Sequence, residues 1–297
     1  MSALRIFAHQ SSPPRPIRVN SRLDKYRITR RLGEGGFSTV FAAMDTIEGR
    51  SVALKVPDDR YVSNVQTLED IQREVRIVAS LEHPGILQLK NAQFIEDHFV
   101  MAFPLGDESL GDRMCRRMSR SLTVEYLYQM VDAVAFAHEN RVLHRDIKPE
   151  NFILFPNQTI RLTDFGLARV ETGTFDVSAS GTLGYMAPEQ AMGKPSYRSD
   201  VFSLGLVLYR MLSGELPEYP FEGPMPGYSR LRKGISNELI AFVRKSIDPN
   251  PRKRFRDGVA MKNALARIRA PLAGSPTGTA RNTEKTRSPR STGRRIA

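Results

Sequence analysis

The spacing of apolar residues changes about a third of the way along the chain, and the change predicts two structural regions. Between about residues 24 and 103, short runs rich in β-branched and aromatic residues predict strands at 26–32, 39–45, 51–56 and 99–103. From about 104 to 270, longer amphipathic or wholly apolar stretches predict helices, notably at 123–140 and 199–214. Short strand-like pieces separate these two helices, at 141–144, 152–155 and 160–164. We therefore predict an α+β fold with a small β-rich N-lobe and a larger, mainly α C-lobe.

One helix, residues 67–81, is predicted to interrupt the strands of the N-lobe. Thr67 and Asp70 fit a capping box at its start. Apolar residues recur at helical spacing and define one face: Leu68, Ile71, Val75 and Val78. Glu74 falls on the same inward face, where a carboxylate is costly without a partner. The pattern therefore predicts a cation opposite Glu74.

Composition and charge set the outer limits of the folded domain. The chain has 297 residues, of which 40% are hydrophobic and 26% charged, which is typical of one large globular domain or two joined lobes. A net charge of +12 favours anionic partners such as nucleotides, nucleic acid or acidic surfaces. Much of this excess lies near the C-terminus, where Glu284 is outnumbered by Arg281, Lys285, Arg287, Arg290, Arg294 and Arg295. We predict a flexible basic leader at 1–23, a folded domain at 24–270 and a disordered basic tail at 271–297.

The single cysteine, Cys115, cannot form a disulfide within the chain, which favours a reducing compartment. We expect Cys115 to be a partly buried helix residue. The most apolar helical stretch, residues 201–212, is too short to span a membrane, and the N-terminus lacks the apolar core of a secretory signal. These features predict a cytoplasmic protein without a transmembrane segment.

The stretch "RLGEGGFSTV", residues 31–40, has the glycine spacing of a phosphate-binding loop. A dinucleotide-binding fold would place a helix after the glycines, and a Walker loop would end in Gly-Lys-Ser/Thr, but strand-like sequence follows here. A hairpin covering a phosphate and a tight turn without a ligand both remain open. Lys55 lies inside an apolar strand, where it either meets an anion or lies at a solvated edge.

Two further stretches carry candidate chemistry for phosphoryl transfer. "HRDIKPEN", residues 144–151, combines a candidate general base (Asp146), a cation (Lys148) and an amide that can bind a metal (Asn151). "TDFG", residues 163–166, places Asp164 after a strand, as a hard oxygen ligand of the kind that Mg²⁺ prefers. Taken alone, the second stretch is more typical of a simple Asp-x-Gly turn than of a metal site.

Together with "VALKV", "GTLGYMAPEQ", "SDVFSLG" and "NPRKRF", these stretches resemble the eukaryotic-type protein kinase family, in order and spacing, over residues 24–270. The resemblance implies a bilobal protein-kinase fold. It also implies a non-specific serine/threonine protein kinase that acts in signalling and transfers the γ-phosphoryl group of ATP to protein substrates. Mg²⁺ is the implied cofactor, with Mn²⁺ as an alternative. Lys148 and Thr182 resemble the serine/threonine branch, and residues 181–191 resemble bacterial members of the family.

The resemblance also implies the roles of individual residues. Asp146 is the catalytic residue that accepts the proton of the substrate hydroxyl, Lys148 supports the γ-phosphate, and Asn151 and Asp164 hold the metal. Lys55 is implied to bind the α- and β-phosphates and to pair with Glu74. The implied nucleotide site comprises Leu32, Gly33, Glu34, Gly35, Gly36, Phe37, Ser38, Val40, Ala53, Lys55, Glu74, Met101 and Phe103.

Supporting residues follow from the same resemblance. Glu189 and Arg254 are implied to form a buried ion pair, and Asp200 is implied to brace the backbone of the catalytic loop. Four residues are implied to form a packed spine: Val78, Leu89, His144 and Phe165. We expect His138 to be a packing residue. Two departures from the family pattern are Ser38, in place of a third glycine, and Pro104, which removes a backbone donor next to the predicted adenine site.

Arg145, directly before Asp146, resembles kinases that are activated by phosphorylation of the activation loop. We therefore expect autophosphorylation at one or more of Thr172, Thr174 and Ser178. The alternatives are a pseudokinase, a small-molecule phosphotransferase and a basic nucleic-acid-binding module. The retained catalytic residues argue against the first, and "MAPEQ" argues against the second. Because charge alone supports the third, no nucleic-acid partner is expected, and the sequence gives no oligomeric state.

Overall fold

A computed structural model of the chain describes residues 15–165, 183–221, 224–268 and 271–272. It also leaves undescribed the side chains of Val65, Glu74 and Leu183. The first part of the predicted leader, the candidate phosphorylation sites of the activation loop and almost all of the predicted tail therefore lie outside the described residues.

The N-lobe contains a six-stranded antiparallel sheet in the order β1-β2-β3-β4-β6-β5. Its strands are β1 (Arg22–Leu23), β2 (Tyr26–Glu34), β3 (Ser38–Asp45), β4 (Arg50–Pro57), β5 (Asn91–Ile95) and β6 (His98–Pro104). The four strands predicted for this lobe are confirmed. The sequence did not predict β5, which is a polar edge strand, or β1, which lies inside the predicted leader and pairs Leu23 with Tyr26.

Alternation along β4 explains how a lysine occupies an apolar strand. Successive side chains of a strand point to opposite faces of the sheet. Leu54 and Val56 enter an apolar cluster on one face, together with Ile28 and Phe41. Lys55, which lies between them, therefore points to the other face, toward the C-lobe.

Two helices follow β4: α1 (Asp59–Val62) and α2 (Val65–Ser80). Helix α2 begins earlier than predicted, because Asn64 is its N-cap and the side-chain oxygen of Asn64 accepts a hydrogen bond from the Thr67 amide at 3.1 Å. The predicted capping box at Thr67 is therefore wrong. Asparagine is among the strongest N-cap residues, and it lies three residues before the predicted start.

The C-lobe is mainly helical, with a small sheet that faces the N-lobe. Its helices are α3 (Leu110–Met114), α4 (Arg120–Glu139), α5 (Pro188–Ala191), α6 (Tyr197–Ser213), α7 (Tyr228–Arg232), α8 (Asn237–Ser246) and α9 (Gly258–Leu265). The three-stranded sheet, in the order β7-β8-β9, contains β7 (Glu108–Ser109), β8 (Phe152–Phe155) and β9 (Thr159–Leu162). Helix α6 is buried on nearly every face, as its apolar sequence predicts, and ends at Gly214 in the left-handed conformation with φ of 82°. None of the helices in the described part of the chain is long and apolar enough to cross a membrane.

Two local predictions for the C-lobe are wrong. Residues 141–144 do not form a strand, because Arg141 has a φ of 60° and the Val142 amide donates to the Ala137 carbonyl at 2.9 Å, which continues the turn that ends α4. Cys115 is exposed instead of partly buried, because α3 ends there, at the surface.

Backbone contacts between the lobes fix the position of β9. The Leu87 amide donates to the Leu162 carbonyl at 2.9 Å, and the Leu162 amide donates to the Gly85 carbonyl at 2.8 Å. Gly106, in the linker after β6, lies so close to Ile153 of β8 that any side chain there would overlap it. The end of β9, which leads directly to Asp164, is therefore held against the N-lobe, and the linker is held against the C-lobe sheet.

Candidate active site

Two predicted residues of the segment between α4 and β8 converge on the carboxylate of a third, Asp146. The Lys148 ammonium lies 2.9 Å from Oδ2 of Asp146, and the Asn151 side-chain amide donates to the same oxygen at 3.1 Å. The Asn151 amide also donates to the backbone carbonyl of Asp146 at 2.7 Å. The second carboxylate oxygen of Asp146, Oδ1, takes part in none of these contacts. The loop therefore holds Asp146 from both its side chain and its backbone.

Asp164 lies opposite the lysine of β4. The Lys55 ammonium is 2.5 Å from Oδ1 of Asp164, so this contact joins the N-lobe to the segment after β9. Burial opposes ionisation of the Asp164 carboxyl, but the charge and hydrogen bond of Lys55, together with the charges of His144 and Lys148, outweigh it, and the pKa of Asp164 lies below its ordinary value. Asp164 also has a φ of 62°, a left-handed conformation that is uncommon outside glycine and concentrates at functional sites.

The predicted pair between Lys55 and Glu74 stays a prediction, because the Glu74 side chain lies outside the described residues. The contact that the structure describes for Lys55 is the one to Asp164. Lys55 thus has an anionic partner inside the cleft, and the alternative of a solvated edge-strand lysine does not hold.

Asp200, near the start of α6, braces the catalytic loop as predicted. Its carboxylate accepts hydrogen bonds from the backbone amides of His144 at 2.7 Å and Arg145 at 2.8 Å. Arg145 has a φ of 67°, so these bonds hold a strained backbone directly before Asp146. Burial opposes ionisation of Asp200, but the hydrogen bond from His138, the electrostatic effects of His138 and His144, and the hydrogen bond from the His144 amide together outweigh it and lower the pKa of Asp200.

His138 has a role that the sequence did not reveal. Its Nε2 lies 3.0 Å from Oδ2 of Asp200, and its Nδ1 accepts a hydrogen bond from the Gly258 amide at 2.8 Å. Because Nδ1 accepts this hydrogen bond, Nε2 carries the ring hydrogen and donates it to the carboxylate of Asp200. His138 is buried, as a packing residue would be, but it also links the catalytic loop to the start of α9. A polar side chain on the inward face of α4 was the available signal.

The predicted ion pair between Glu189 and Arg254 is confirmed. Two nitrogens of the guanidinium contact the two carboxylate oxygens at 2.7 and 3.2 Å, and the Arg254 side chain has no exposed surface. Ser199 donates a further hydrogen bond to Glu189 at 2.9 Å. Next to this pair, the Gln190 amide donates to the Arg145 carbonyl at 2.7 Å, a contact that the sequence did not predict. Helix α5 is therefore tied both to α6 and to the catalytic loop.

The glycine-rich stretch is a β-hairpin between β2 and β3. Gly33 pairs with Val40, and the Gly35 amide donates to the Ser38 carbonyl at 2.9 Å. A side chain built on Gly33 or Gly36 would meet no atom within 4 Å, so the hairpin leaves open space at these positions. The stretch is therefore a hairpin that leads into a strand, which excludes both the dinucleotide fold and the Walker loop, whereas its role in covering a phosphate stays a prediction.

The remaining residues of the predicted nucleotide site lie on the strands next to this hairpin. Ala53 of β4 pairs with Phe103, and Lys55 pairs with Met101. Met101 and Phe103 are buried, whereas Leu32, Glu34 and Phe37 on the hairpin are exposed. Pro104 ends β6 and pairs with Val52. The structure thus brings Ala53, Lys55, Met101 and Phe103 to one face of the N-lobe sheet, next to the hairpin.

Three members of the predicted spine, Val78, His144 and Phe165, are buried, and two of them are in direct contact. The rings of His144 and Phe165 lie 4.8 Å apart, and His144 Nε2 donates to the Thr163 carbonyl at 2.8 Å. Val78 belongs to the same buried cluster as Phe165, and Leu89 packs against that cluster. The segment that carries Asp164 is therefore packed against the catalytic loop.

The residues present fit a magnesium–nucleotide complex. The Asp164 carboxylate and the Asn151 amide oxygen are hard ligands of the kind that Mg²⁺ prefers. Lys55 and Lys148 are each already paired with a carboxylate of the cleft, so a bound phosphate would enter between existing charges of both signs.

A family model described as protein kinase domain matches residues 26–265. The chain belongs to the protein kinase family. Among curated relatives, it is 31% identical over 266 residues to CBL-interacting serine/threonine-protein kinase 10 of Arabidopsis thaliana, covering 80% of this chain and 55% of that protein. It is 30% identical over 279 residues to serine/threonine-protein kinase cds1 of Schizosaccharomyces pombe, covering 82% of this chain and 59% of that protein. The kinase chain thus spans a little over half the length of these relatives.

Solved structures share the fold. The Mycobacterium tuberculosis PknI kinase domain superposes with a TM-score of 0.64 at 21% identity, covering 85% of this chain and 99% of that one. A structure described as PpkA-294, apo form, superposes with a TM-score of 0.70 at 22% identity, covering 84% and 99%. The predicted bilobal kinase fold is confirmed.

Proposed function

We propose that this chain is a serine/threonine protein kinase that transfers the γ-phosphoryl group of ATP to hydroxyl groups of protein substrates. The observation that carries the proposal is the convergence of Lys148 and Asn151 on the Asp146 carboxylate, across the cleft from the Lys55–Asp164 pair. A pseudokinase reading is disfavoured, because each of these four charged groups and the amide is in place. The names of the relatives support the serine/threonine branch.

In the proposed reaction, Asp146 orients the substrate hydroxyl and takes its proton. Oδ2 of Asp146 is held by Lys148 and Asn151, so Oδ1 is the atom that accepts the proton. Lys148 then offsets the charge of the γ-phosphate, and Lys55 binds the α- and β-phosphates. Mg²⁺, when bound by Asn151 and Asp164, supplies charge neutralisation of the phosphates. Positioning and electrostatics account for most of the catalysis in such transfers.

A labelled-ATP assay tests this proposal. The purified chain, Mg²⁺ and a generic protein substrate are expected to give phosphoserine or phosphothreonine. Asp146→Asn removes the base and is expected to lower kcat by about 10²–10⁴-fold, the range for loss of a general base. Asp97→Asn, which neutralises an exposed carboxylate in the turn between β5 and β6, is the matched control. Turnover by Asp146→Asn near that of the control would refute the assignment.

We also propose that the kinase autophosphorylates its activation loop at one or more of Thr172, Thr174 and Ser178. Support comes from Arg145, which the bonds to Asp200 and Gln190 hold next to the catalytic aspartate. Mass spectrometry of wild type beside Asp146→Asn tests this point, and an unmodified loop in active wild type contradicts it. The single cysteine supports a cytoplasmic, reducing location.

A further inference from the structure

The tip of the glycine-rich hairpin contacts a short helix outside the predicted nucleotide site. The ring of Phe37, at the tip, lies 4.8 Å from the ring of Tyr61 in α1, with the two planes tilted by 39°. Separations of 4.5–7 Å between tilted rings are favourable for aromatic pairs. The Asp58 amide, just before α1, donates to the Phe37 carbonyl at 2.9 Å. The hairpin tip therefore has both a side-chain and a backbone contact with this segment.

Helix α1 is itself anchored, so it can hold the tip in place. Val62 is buried in the main apolar cluster, and the Asp58 side chain caps the helix by accepting from the Arg60 amide at 3.0 Å. The Arg60 guanidinium lies 5.3 Å from the centre of the Tyr61 ring and 3.0 Å from Oδ2 of Asp58. The Tyr61 ring thus has two neighbours, the Phe37 ring and the Arg60 guanidinium.

A second anchor ties α1 to the sheet and to the N-terminal segment. The buried His98 of β6 has its Nδ1 3.3 Å from the Asp59 carboxylate in α1. Its Nε2 lies 2.8 Å from the Arg15 carbonyl, and Ile17 packs on the apolar cluster of the N-lobe. The segment before β1 therefore supports α1 through one histidine.

We propose that Tyr61 is a positioning residue for nucleotide binding, which holds the glycine-rich hairpin through Phe37 in the conformation that covers the phosphates. The proposal rests on the proposed function only in taking ATP as the ligand. Tyr61 does not touch the nucleotide, so its effect reaches the site through the Phe37 ring. A hairpin that is ordered before the nucleotide arrives costs less conformational freedom on binding.

The size of the effect follows from the ring contact. Aromatic pairs of this geometry contribute ~0.5–1.5 kcal/mol beyond burial, which converts to about 2- to 10-fold in a binding constant at 1.4 kcal/mol per tenfold. Tyr61→Ala and Tyr61→Leu are expected to raise the Kd for Mg·ATP, and the KM for ATP, by this factor. Tyr61→Phe keeps the ring and is expected to remain within about 2-fold of wild type by the same estimate.

The test is calorimetric titration of the full chain with ATP and Mg²⁺, together with steady-state KM values for ATP and for the protein substrate. Tyr128→Ala, which removes an exposed ring from α4 in the C-lobe, is the matched control. The expected pattern is a rise in the Kd and KM for ATP with an unchanged KM for the protein. In a Phe37→Ala background, Tyr61→Ala is expected to cause no further rise in the Kd for ATP.

Three results would overturn the proposal. The first is an unchanged Kd for ATP in Tyr61→Leu, and the second is a rise in the Kd for ATP on Tyr61→Ala that is the same in the wild-type and Phe37→Ala backgrounds. The third is a rise in the KM for the protein substrate as large as the rise in the KM for ATP. Urea unfolding of each variant shows whether it is folded, and Tyr61→Leu preserves apolar volume if the alanine variant is unfolded. Because calorimetry needs no phosphoryl transfer, wild type that binds ATP without transferring phosphate would contradict the proposed function and leave this test intact.

Discussion

Asp200→Asn is a sharp perturbation of the catalytic loop, because it changes the charge of one side chain and almost none of its shape. The carboxylate accepts three hydrogen bonds: two at Oδ2, from the His144 amide and His138, and one at Oδ1, from the Arg145 amide. An amide has one oxygen. Turned to keep the two bonds at the Oδ2 position, it directs its NH₂ group at the Arg145 amide.

The cost can be worked from this count. One hydrogen bond to a charged acceptor, ~1.5–3 kcal/mol, is lost, and a buried donor is left unsatisfied at ~1–3 kcal/mol. Part of this is offset, because the variant no longer buries a charge. We expect the free energy of unfolding to fall by about 2–4 kcal/mol. Since the Arg145 backbone is strained and directly precedes Asp146, we also expect kcat to fall about 10- to 100-fold, as for a base displaced by about 1 Å.

Urea unfolding and steady-state phosphoryl transfer measure the two effects, with Asp97→Asn as the control that neutralises an exposed carboxylate. Surface substitutions of that kind normally change the free energy of unfolding by no more than ~0.5 kcal/mol. The result that refutes this prediction is a free energy of unfolding for Asp200→Asn within ~0.5 kcal/mol of that of the control, together with a kcat within about 2-fold of that of the control. In that case the hydrogen bonds of Asp200 do not position the catalytic loop.

Three further predictions concern stability. Arg254→Ala leaves the Glu189 carboxylate without its partner and is expected to cost ~3–5 kcal/mol in urea unfolding, with Arg254→Lys intermediate; equal stability of the two variants would contradict a role for the paired guanidinium. The pKa of Asp200 in the folded protein lies below its unfolded value of about 3.9, so the stabilisation that the Asp200 carboxylate provides is present above that pH and is lost as the pH falls through the folded pKa. Asp200→Asn should therefore flatten the acid limb of the curve of unfolding free energy against pH, and an unchanged limb would contradict this prediction. A Cβ at Gly205 would lie 2.7 Å from side-chain atoms at the end of α8, so Gly205→Ala is expected to cost ~1–3 kcal/mol in thermal or urea unfolding, whereas Gly36→Ala, which meets open space, should not show this cost.

Much of the fold was predictable because its signals are local. The period-2 runs gave the four long strands of the N-lobe, and the nearly continuous apolar stretch gave the buried helix α6. The errors arose where neighbours override local pattern. Residues 141–144 have strand-like composition, but the turn that ends α4 uses their backbone, and β5 is an edge strand whose half-polar sequence carries little period-2 signal.

The candidate site likewise contains residues whose proximity was predictable from the sequence and residues whose proximity was not. The sequence by itself determined which residue types stand at which spacing in the catalytic loop, and short spacing is sufficient to bring Asp146, Lys148 and Asn151 together. It also determined, through the resemblance, the pairing of Glu189 with Arg254.

Only the tertiary structure decided which distant groups meet. Lys55 and Asp164 are 109 residues apart, and His138 and Gly258 are 120 apart, so no local pattern links either pair. The contact of Tyr61 with Phe37 likewise depends on how α1 packs beside the hairpin. The local periodicity of apolar residues determines strands and helices, because it reports which face of a single element is buried. The partner of a buried charge or a ring is set by the packing of elements that are far apart in sequence.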